Sequence, residues 1–310
     1  MDLSHIGNDD KLWTRVKEGG YQFTGYQSLE EQTNILEYME AKDGKYLIVL
    51  ENNPFYINSG GQVGDTGVLE GESCMLNVLD AVSINNRKVL IVAIAEGVFN
   101  PGESFQAKVN IPRRQKIRIH HTATHLLHAS LKKVLGNLVD QKGSAVDDNR
   151  LRFDFSYSKA MSNNEVRRVE EMVNEQIRTN TAVETNLMNL EEAKKTGAMA
   201  LFSEKYESKV RVVSAGSFTQ ELCGGTHALR LGDIGLVKII REESSAAGIR
   251  RIEAVVGKSA ELEIIKNENI LNEASELLRT SNPQQLLEGI KRLQEENKKL
   301  SKELKGVKSL

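Results

Sequence analysis

Short apolar runs punctuated by turn residues fill the first third of the chain. Residues 46–50, 75–79 and 89–93 are apolar and bounded by Gly, Asn or Asp, the pattern of strands joined by tight turns. Glycines gather between them at Gly60, Gly61, Gly64, Gly67 and Gly71. Residues 21 to about 110 are therefore expected to form a small β-barrel domain. Residues 1–20 are polar and aperiodic apart from Leu12 and Trp13 and read as a lead-in.

The pattern changes at Pro112. Residues 116–135 read as a helix with Ile117, Leu127, Leu131 and Val134 available for one face, and Gly136 as its stop. Residues 151–155 alternate Leu, Arg, Phe, Asp, Phe, as a half-buried strand does. A second helix is predicted over 163–179, with Val166, Val169, Val173 and Ile177 at helical spacing, and a third over 191–201. Strands are predicted over 210–213, 234–240 and 249–256. Helices beside strands without strict βαβ alternation imply an α+β domain over 111–257, with an antiparallel sheet.

Residues 258–310 are expected to be helical. From Leu286 the series Leu286, Ile290, Leu293, Asn297, Leu300, Leu304, Val307 steps by four and three, an a/d heptad with one Asn at a. One amphipathic helix packed on its own chain and a coiled coil both fit this spacing. The second reading would make 286–307 a homodimer segment.

Bulk composition narrows the function classes. With 39% hydrophobic and 27% charged residues, the chain has the make-up of a globular protein. A formal net charge of −2 argues against a generic nucleic-acid coat protein but leaves RNA binding through a local patch open. No apolar run reaches the roughly 18 residues of a membrane helix, and the N-terminus lacks a secretory pattern. Two cysteines make no disulfide framework, so a cytoplasmic setting and no membrane partner are expected.

Two clusters carry chemistry. In His120-His121-Thr122-Ala123-Thr124-His125-Leu126-Leu127-His128, histidines at i and i+4 share one helix face, a spacing that suits a tetrahedral metal. Spacing alone leaves the choice among His120, His121, His125 and His128 open. In Cys223-Gly224-Gly225-Thr226-His227 a thiol and an imidazole flank a tight turn. Together the clusters point to a His₃Cys zinc site rather than magnesium or calcium, which prefer oxygen. Thr122 stands where HExxH zinc proteases carry their glutamate, so that chemistry is not expected.

These motifs resemble the editing domain of alanyl-tRNA synthetases and the related free-standing AlaX deacylases. The resemblance extends through Phe23-Thr24-Gly25-Tyr26, Pro54-Phe55-Tyr56, the segment 59–67, Gln141-Lys142-Gly143-Ser144, the segment 151–155, Gly197-Ala198-Met199-Ala200-Leu201-Phe202 and the segment 246–254. It covers about residues 20–257. It implies that His121, His125, Cys223 and His227 bind zinc, and that Thr124, Gln141 and Ser144 line the editing pocket. The implied reaction is hydrolysis of the ester of Ser-tRNA(Ala) or Gly-tRNA(Ala). The implied partner is the acceptor end of tRNA(Ala).

The class II ATP-binding motifs are not found here, and the chain stops soon after the heptads begin. An internal fragment of a synthetase is thus expected, the parent enzyme ligating alanine to tRNA(Ala) with ATP elsewhere. A free-standing AlaX-type deacylase, and a zinc-stabilised tRNA-binding or dimerisation module without activity, are the alternatives. The editing domain of threonyl-tRNA synthetases shares the HxxxH/CxxxH idea, but the motifs at 54–67 argue against it. The basic run Arg113, Arg114, Lys116, Arg118 and the pair Arg250-Arg251 are candidate phosphate contacts. The 59–67 loop is a candidate for close approach to RNA or substrate.

Overall fold

A computed structural model describes residues 12–199, 208–280 and 282–307. The chain divides into two compact units, Met1–Gly257 and Lys258–Leu310. In the first, the short apolar runs become strands. In chain order these are β1 (Thr14–Arg15), β2 (Gln22–Phe23), β3 (Glu30–Glu40), β4 (Lys45–Leu50), β5 (Asn52–Asn53), β6 (Gly67–Glu70), β7 (Cys74–Ile84), β8 (Arg87–Gly97) and β9 (Ser104–Val109). The order β3-β4-β8-β7-β6-β9 closes back on β3, giving a six-stranded antiparallel barrel. Closure leaves these six strands with no open edge.

Both faces of β4 are buried, which is why it reads as unbroken apolar sequence. Ile48 and Leu50 point into the barrel core with Phe55, Leu76 and Phe105. Leu47 and Val49 belong to an outer cluster packed with Trp13. The end of the expected lead-in is therefore structural: Thr14 and Arg15 pair with Tyr38 and Glu37 of β3. The rest of that lead-in, residues 1–11, lies outside the described residues. Asn85 and Asn86, both at positive φ (47° and 65°), turn the long β7–β8 hairpin, as a two-residue hairpin turn requires.

Helix α1 (Ile111–Leu135) begins five residues earlier than its apolar spacing suggests. Asn110 caps it by accepting from Arg113 N–H at 3.1 Å, and its first turn buries an arginine rather than an aliphatic residue. Next come β10 (Gln141–Val146), β11 (Leu151–Ser156), α2 (Asn163–Arg178), β12 (Val183–Asn189), α3 (Leu190–Lys195), β13 (Lys209–Ala215), β14 (Thr219–Leu222), β15 (Val237–Ala246) and β16 (Ile249–Val256). Strands β10-β11-β16-β15 form one antiparallel sheet and β12-β13-β14 another. Leu126, Leu127 and Leu131 of α1 pack with Val169 and Val173 of α2 and Phe153 of β11 in the core of this part.

Two boundaries differ from the sequence expectation. The helix read over 191–201 stops at Lys195, and Met199 instead bridges to Glu221 beside β14. Residues 200 and 201 of that expectation lie outside the described ones. The strand read over 234–240 starts at Val237, because Leu231–Ile234 forms a 3-10 turn that buries Leu231 and Ile234 in the α1 core. In the second unit, α4 (Lys258–Leu277) and α5 (Leu286–Val307) are joined by a 3-10 turn at Pro283–Gln285.

Two features lock the barrel to α1 and its sheet. Backbone hydrogen bonds Val146 N–H to Gly61 O (2.8 Å) and Val63 N–H to Val146 O (3.1 Å) lay the glycine-rich loop along the edge strand β10. Arg114 is fully buried against Asp65 and also donates to Gly25 O (2.9 Å) and Pro54 O (3.0 Å). Asp65 in turn accepts from Tyr56 N–H at 2.7 Å. Removing one partner of such a pair strands a buried charge. Arg114→Met is therefore expected to lower unfolding free energy by about 3–5 kcal/mol, with Arg114→Met/Asp65→Leu losing less than Arg114→Met alone. Urea unfolding checks this, and a single-variant loss below about 1 kcal/mol would contradict the buried pair.

Candidate metal centre

The two sequence clusters meet. His121 and His125 lie one turn apart on α1, and Cys223 and His227 flank the turn that leaves β14. Donor atoms of all four residues lie within 4.8 Å of one another. Cys223 Sγ is 3.4 Å from His121 Nε2 and 3.3 Å from His227 Nε2. Tetrahedral N/S sites with metal–ligand bonds of about 2.0–2.3 Å have edges of about 3.3–3.6 Å. One thiol and three imidazoles at this spacing can hold a metal ion.

Hydrogen bonds on the far side of the His121 and His227 rings set their tautomers. His121 Nδ1–H donates to Gln62 Oε1 at 2.7 Å, leaving Nε2 to face Cys223. Thr122 Oγ1 gives its proton to Arg118 O (3.0 Å) and so accepts from His227 Nδ1–H at 3.2 Å. His227 Nε2 is then free to face Cys223. Burial pushes the pKa of His121 and of His227 well down, and neighbouring imidazoles and Arg211 push the same way. Burial also lowers that of His125. All three shifts favour the neutral imidazole, the form a metal ligand takes.

The backbone fits the same purpose. A Cβ at Gly225 would collide with the His121 ring, so only glycine permits this approach. Arg211 Nη1 pins the turn by donating to Cys223 O (3.1 Å) and Gly225 O (2.7 Å). Spacing left four histidines of α1 in contention, and the fold separates them. Among the described residues only His121 and His125 of α1 bring a donor atom into the cluster with Cys223 and His227, while His120 Nδ1 donates to Lys116 O at 2.8 Å and His128 Nδ1 to Glu221 at 3.1 Å.

A cleft of about 530 Å³ opens onto His121, His125 and Cys223, and Thr124, Gln141 and Ser144 line it. Thr124 Oγ1 donates to His120 O (2.9 Å), which leaves its lone pairs as acceptors. Gln141 Nε2 donates to Ser144 Oγ at 3.2 Å. The amide oxygen of Gln141 and the hydroxyl proton of Ser144 remain for a ligand. Ser59 and Gly60 also line the cleft. The rest of the 59–67 loop is taken up in packing, Gly61 lying against Ser144 and Gly64 against Ala81.

Most of the expected phosphate contacts are engaged elsewhere. Arg113 pairs with Asp148, Arg114 with Asp65, Arg250 with Glu242 and Arg251 with Asp154. Among the described residues, Lys116 and Arg118 pair with no carboxylate.

Three contributors are not singled out by sequence reasoning. Gln62 and Arg211 act through contacts that only the fold creates. Glu221 had a legible signal: it stands two residues before Cys223 at the end of a strand, so both project to the same face. Its buried carboxylate lies 3.6 Å from His125 Nε2 and lines the cleft.

Comparison with known families matches two separate segments of the chain. Residues 5–113 match the model of class II (A) tRNA synthetases, and residues 210–253 match the threonyl and alanyl tRNA synthetase second additional domain. The first match spans the barrel and its 59–67 loop. The second contains Cys223, His227, strands β14 and β15, and most of β13 and β16. The chain fits a fragment of an alanyl- or threonyl-tRNA synthetase, a family whose partner is tRNA.

Gln62 is fully buried, and its loss would leave His121 Nδ1–H and Thr226 N–H unpaired. Gln62→Ala is expected to weaken metal affinity by about 10–100-fold. Chelator competition measures this, and an unchanged affinity would contradict the assigned role.

Proposed function

We propose, for a chain that fits an alanyl- or threonyl-tRNA synthetase fragment, that this site hydrolyses the ester of mischarged Ser-tRNA(Ala) or Gly-tRNA(Ala) in the cytoplasm. The observation that carries the proposal is the convergence of His121, His125, Cys223 and His227 beside a cleft that Thr124, Gln141 and Ser144 also line. Zinc is the proposed metal, because a mixed thiolate–imidazole set suits it. The second-additional-domain description names both threonyl and alanyl enzymes, and the segments Pro54-Phe55-Tyr56 and 59–67 favour the alanyl one. Residues 21–110 are then the barrel domain, 111–257 the editing domain and 258–310 a helical segment.

The chemistry explains why a second site is needed. Alanine differs from glycine and serine by one small group. A pocket gains only about 1–3 kcal/mol from a methylene-sized difference, too little for accurate charging. A hydrolytic second sieve makes up the shortfall.

A zinc ion held by His121, His125, Cys223 and His227 would have a closed shell, and would supply fixed positive charge for positioning the substrate rather than for activating water. The chain's own groups do the rest. Thr124 Oγ1 and Gln141 Oε1 accept hydrogen bonds from the aminoacyl group or the attacking water. Ser144 donates to an oxygen of the same ligand. A serine hydroxyl completes this set, whereas an alanine methyl leaves it unpaired.

The wild-type chain is expected to deacylate Ser-tRNA(Ala) at least about tenfold faster than Ala-tRNA(Ala). Thr124→Val should slow the first reaction by about ten- to a hundredfold, and Cys223→Ala should lose both zinc and hydrolysis. Full hydrolysis by a zinc-free Cys223→Ala chain would sink the assignment. Residues 286–307 are proposed as a homodimer segment, because Ile290 (43%), Leu293 (49%), Leu300 (59%) and Leu304 (61%) stay exposed. Sedimentation equilibrium should find a dimer that Leu293→Glu/Leu300→Glu converts to monomer; a monomeric wild type would refute it.

A further inference from the structure

A second cleft, of about 890 Å³, shares a wall with the first. Cys223, Gly224 and Gly225 line the metal cleft, and Thr226 and His227, the next two residues of the same turn, line the second. Two guanidinium groups face it, Arg118 from α1 and Arg211 from β13. Among the described residues, no Asp or Glu lines it.

Among the described residues, neither cation pairs with a carboxylate. Arg211 spends its donors on uncharged acceptors, the carbonyls of Cys223 and Gly225 and the hydroxyl of Thr185 at 3.2 Å. Its guanidinium lies 4.2 Å from the centroid of the Tyr26 ring. The Arg118 side chain has no hydrogen-bond partner among the described residues, and its Nε is buried. Burial lowers its pKa, and the charges of Arg114 and Arg211 lower it further. Asp65, the carboxylate whose charge opposes this, is already held by Arg114.

Like charges beside one another in a partly buried cleft destabilise the fold. A buried N–H without an acceptor does so too. An anion would relieve both costs, and guanidinium forks match phosphate oxygens. The surroundings suit a nucleotide rather than a free ion: Tyr26 (42%), Leu187 (76%) and Leu229 (75%) leave exposed faces around the two arginines. Aromatic and apolar surface next to cationic groups is how single strands are held.

We infer that Arg118 and Arg211 bind a backbone phosphate of an RNA strand whose adjoining nucleoside packs on Tyr26, Leu187 and Leu229. This rests on the deacylase reading only for the strand's identity, the one whose 3′ end enters the metal cleft. Tyr26 spans the two clefts, because its hydroxyl donates to Gly224 O while its ring lies under Arg211.

Arg118→Gln tests the inference, since the Arg118 side chain hydrogen-bonds no other group among the described residues. The probe is a short unacylated single-stranded RNA, followed by fluorescence anisotropy across a KCl series, with inorganic phosphate as competitor. Wild type should bind, and the variant should bind about tenfold or more weakly. The slope of log K against log salt should fall by about 0.7. Zinc content should be unchanged and Tm equal or higher, because an unpaired buried cation has gone.

Absent RNA binding by wild type, or an unchanged Kd and slope in the variant, would overturn it. So would weaker binding accompanied by loss of zinc and a lower Tm, which marks a structural arginine. Binding of inorganic phosphate without RNA would assign the cleft to a free anion instead. Because the RNA carries no ester, the two readings fail separately. RNA binding through Arg118 without ester hydrolysis removes only the deacylase. Hydrolysis of Ser-tRNA(Ala) with RNA binding indifferent to Arg118 removes only the phosphate site.

Discussion

One buried amide sets the geometry on which the rest depends. Gln62 has no exposed surface, yet its side chain is satisfied three ways: Oε1 accepts from His121 Nδ1–H and Thr226 N–H, and Nε2 donates to Thr226 Oγ1. Any of these left unmade would cost about 1–3 kcal/mol. The amide therefore ties three elements at once: the glycine-rich loop of the barrel, the helix carrying one ligand pair, and the turn carrying the other. The barrel is a brace for the metal centre. The Arg114–Asp65 pair and the pairing of that loop with β10 hold the brace in place.

That constraint explains the division of labour around the turn from Cys223 to His227. Its first residues face a cleft with hydrogen-bonding groups left open at Thr124, Gln141 and Ser144. Its last residues face a cleft with uncompensated cations. An acyl group with polar atoms belongs in the first, and an anion in the second. The aminoacylated RNA end proposed above carries both, and the two readings draw on separate side chains on either side of one turn.

Much of this was legible in the sequence, for physical reasons that differ by element. The barrel strands were readable because both-face burial makes short continuous apolar runs, as in β4. Helix α2 was readable because Val169, Val173 and Ile177 form one stripe. The start of α1 was not, since its first turn buries Arg114, and a charge against a charge leaves no periodic apolar mark. The helix read over 191–201 was too long, because the strand-like pairing of Met199 with Glu221 outweighs helical propensity there. The four clustered donors stood out because His and Cys are scarce in this chain, six and two residues. Spacing could not choose among the α1 histidines; the fold does, by bringing Cys223 and His227 up to His121 and His125. Gln62 lies 59 residues from His121 and 164 from Thr226, so its role exists only once the chain has folded.

The claim beneath all of this is that four side chains from two distant segments enclose one metal ion. X-ray absorption spectroscopy of the zinc-loaded chain tests it most directly. The account predicts one zinc per chain, with three imidazole nitrogens and a single sulfur in its shell, because Cys74 is buried in the barrel core and cannot contribute a second. A shell without sulfur, or one with two sulfurs, would contradict it.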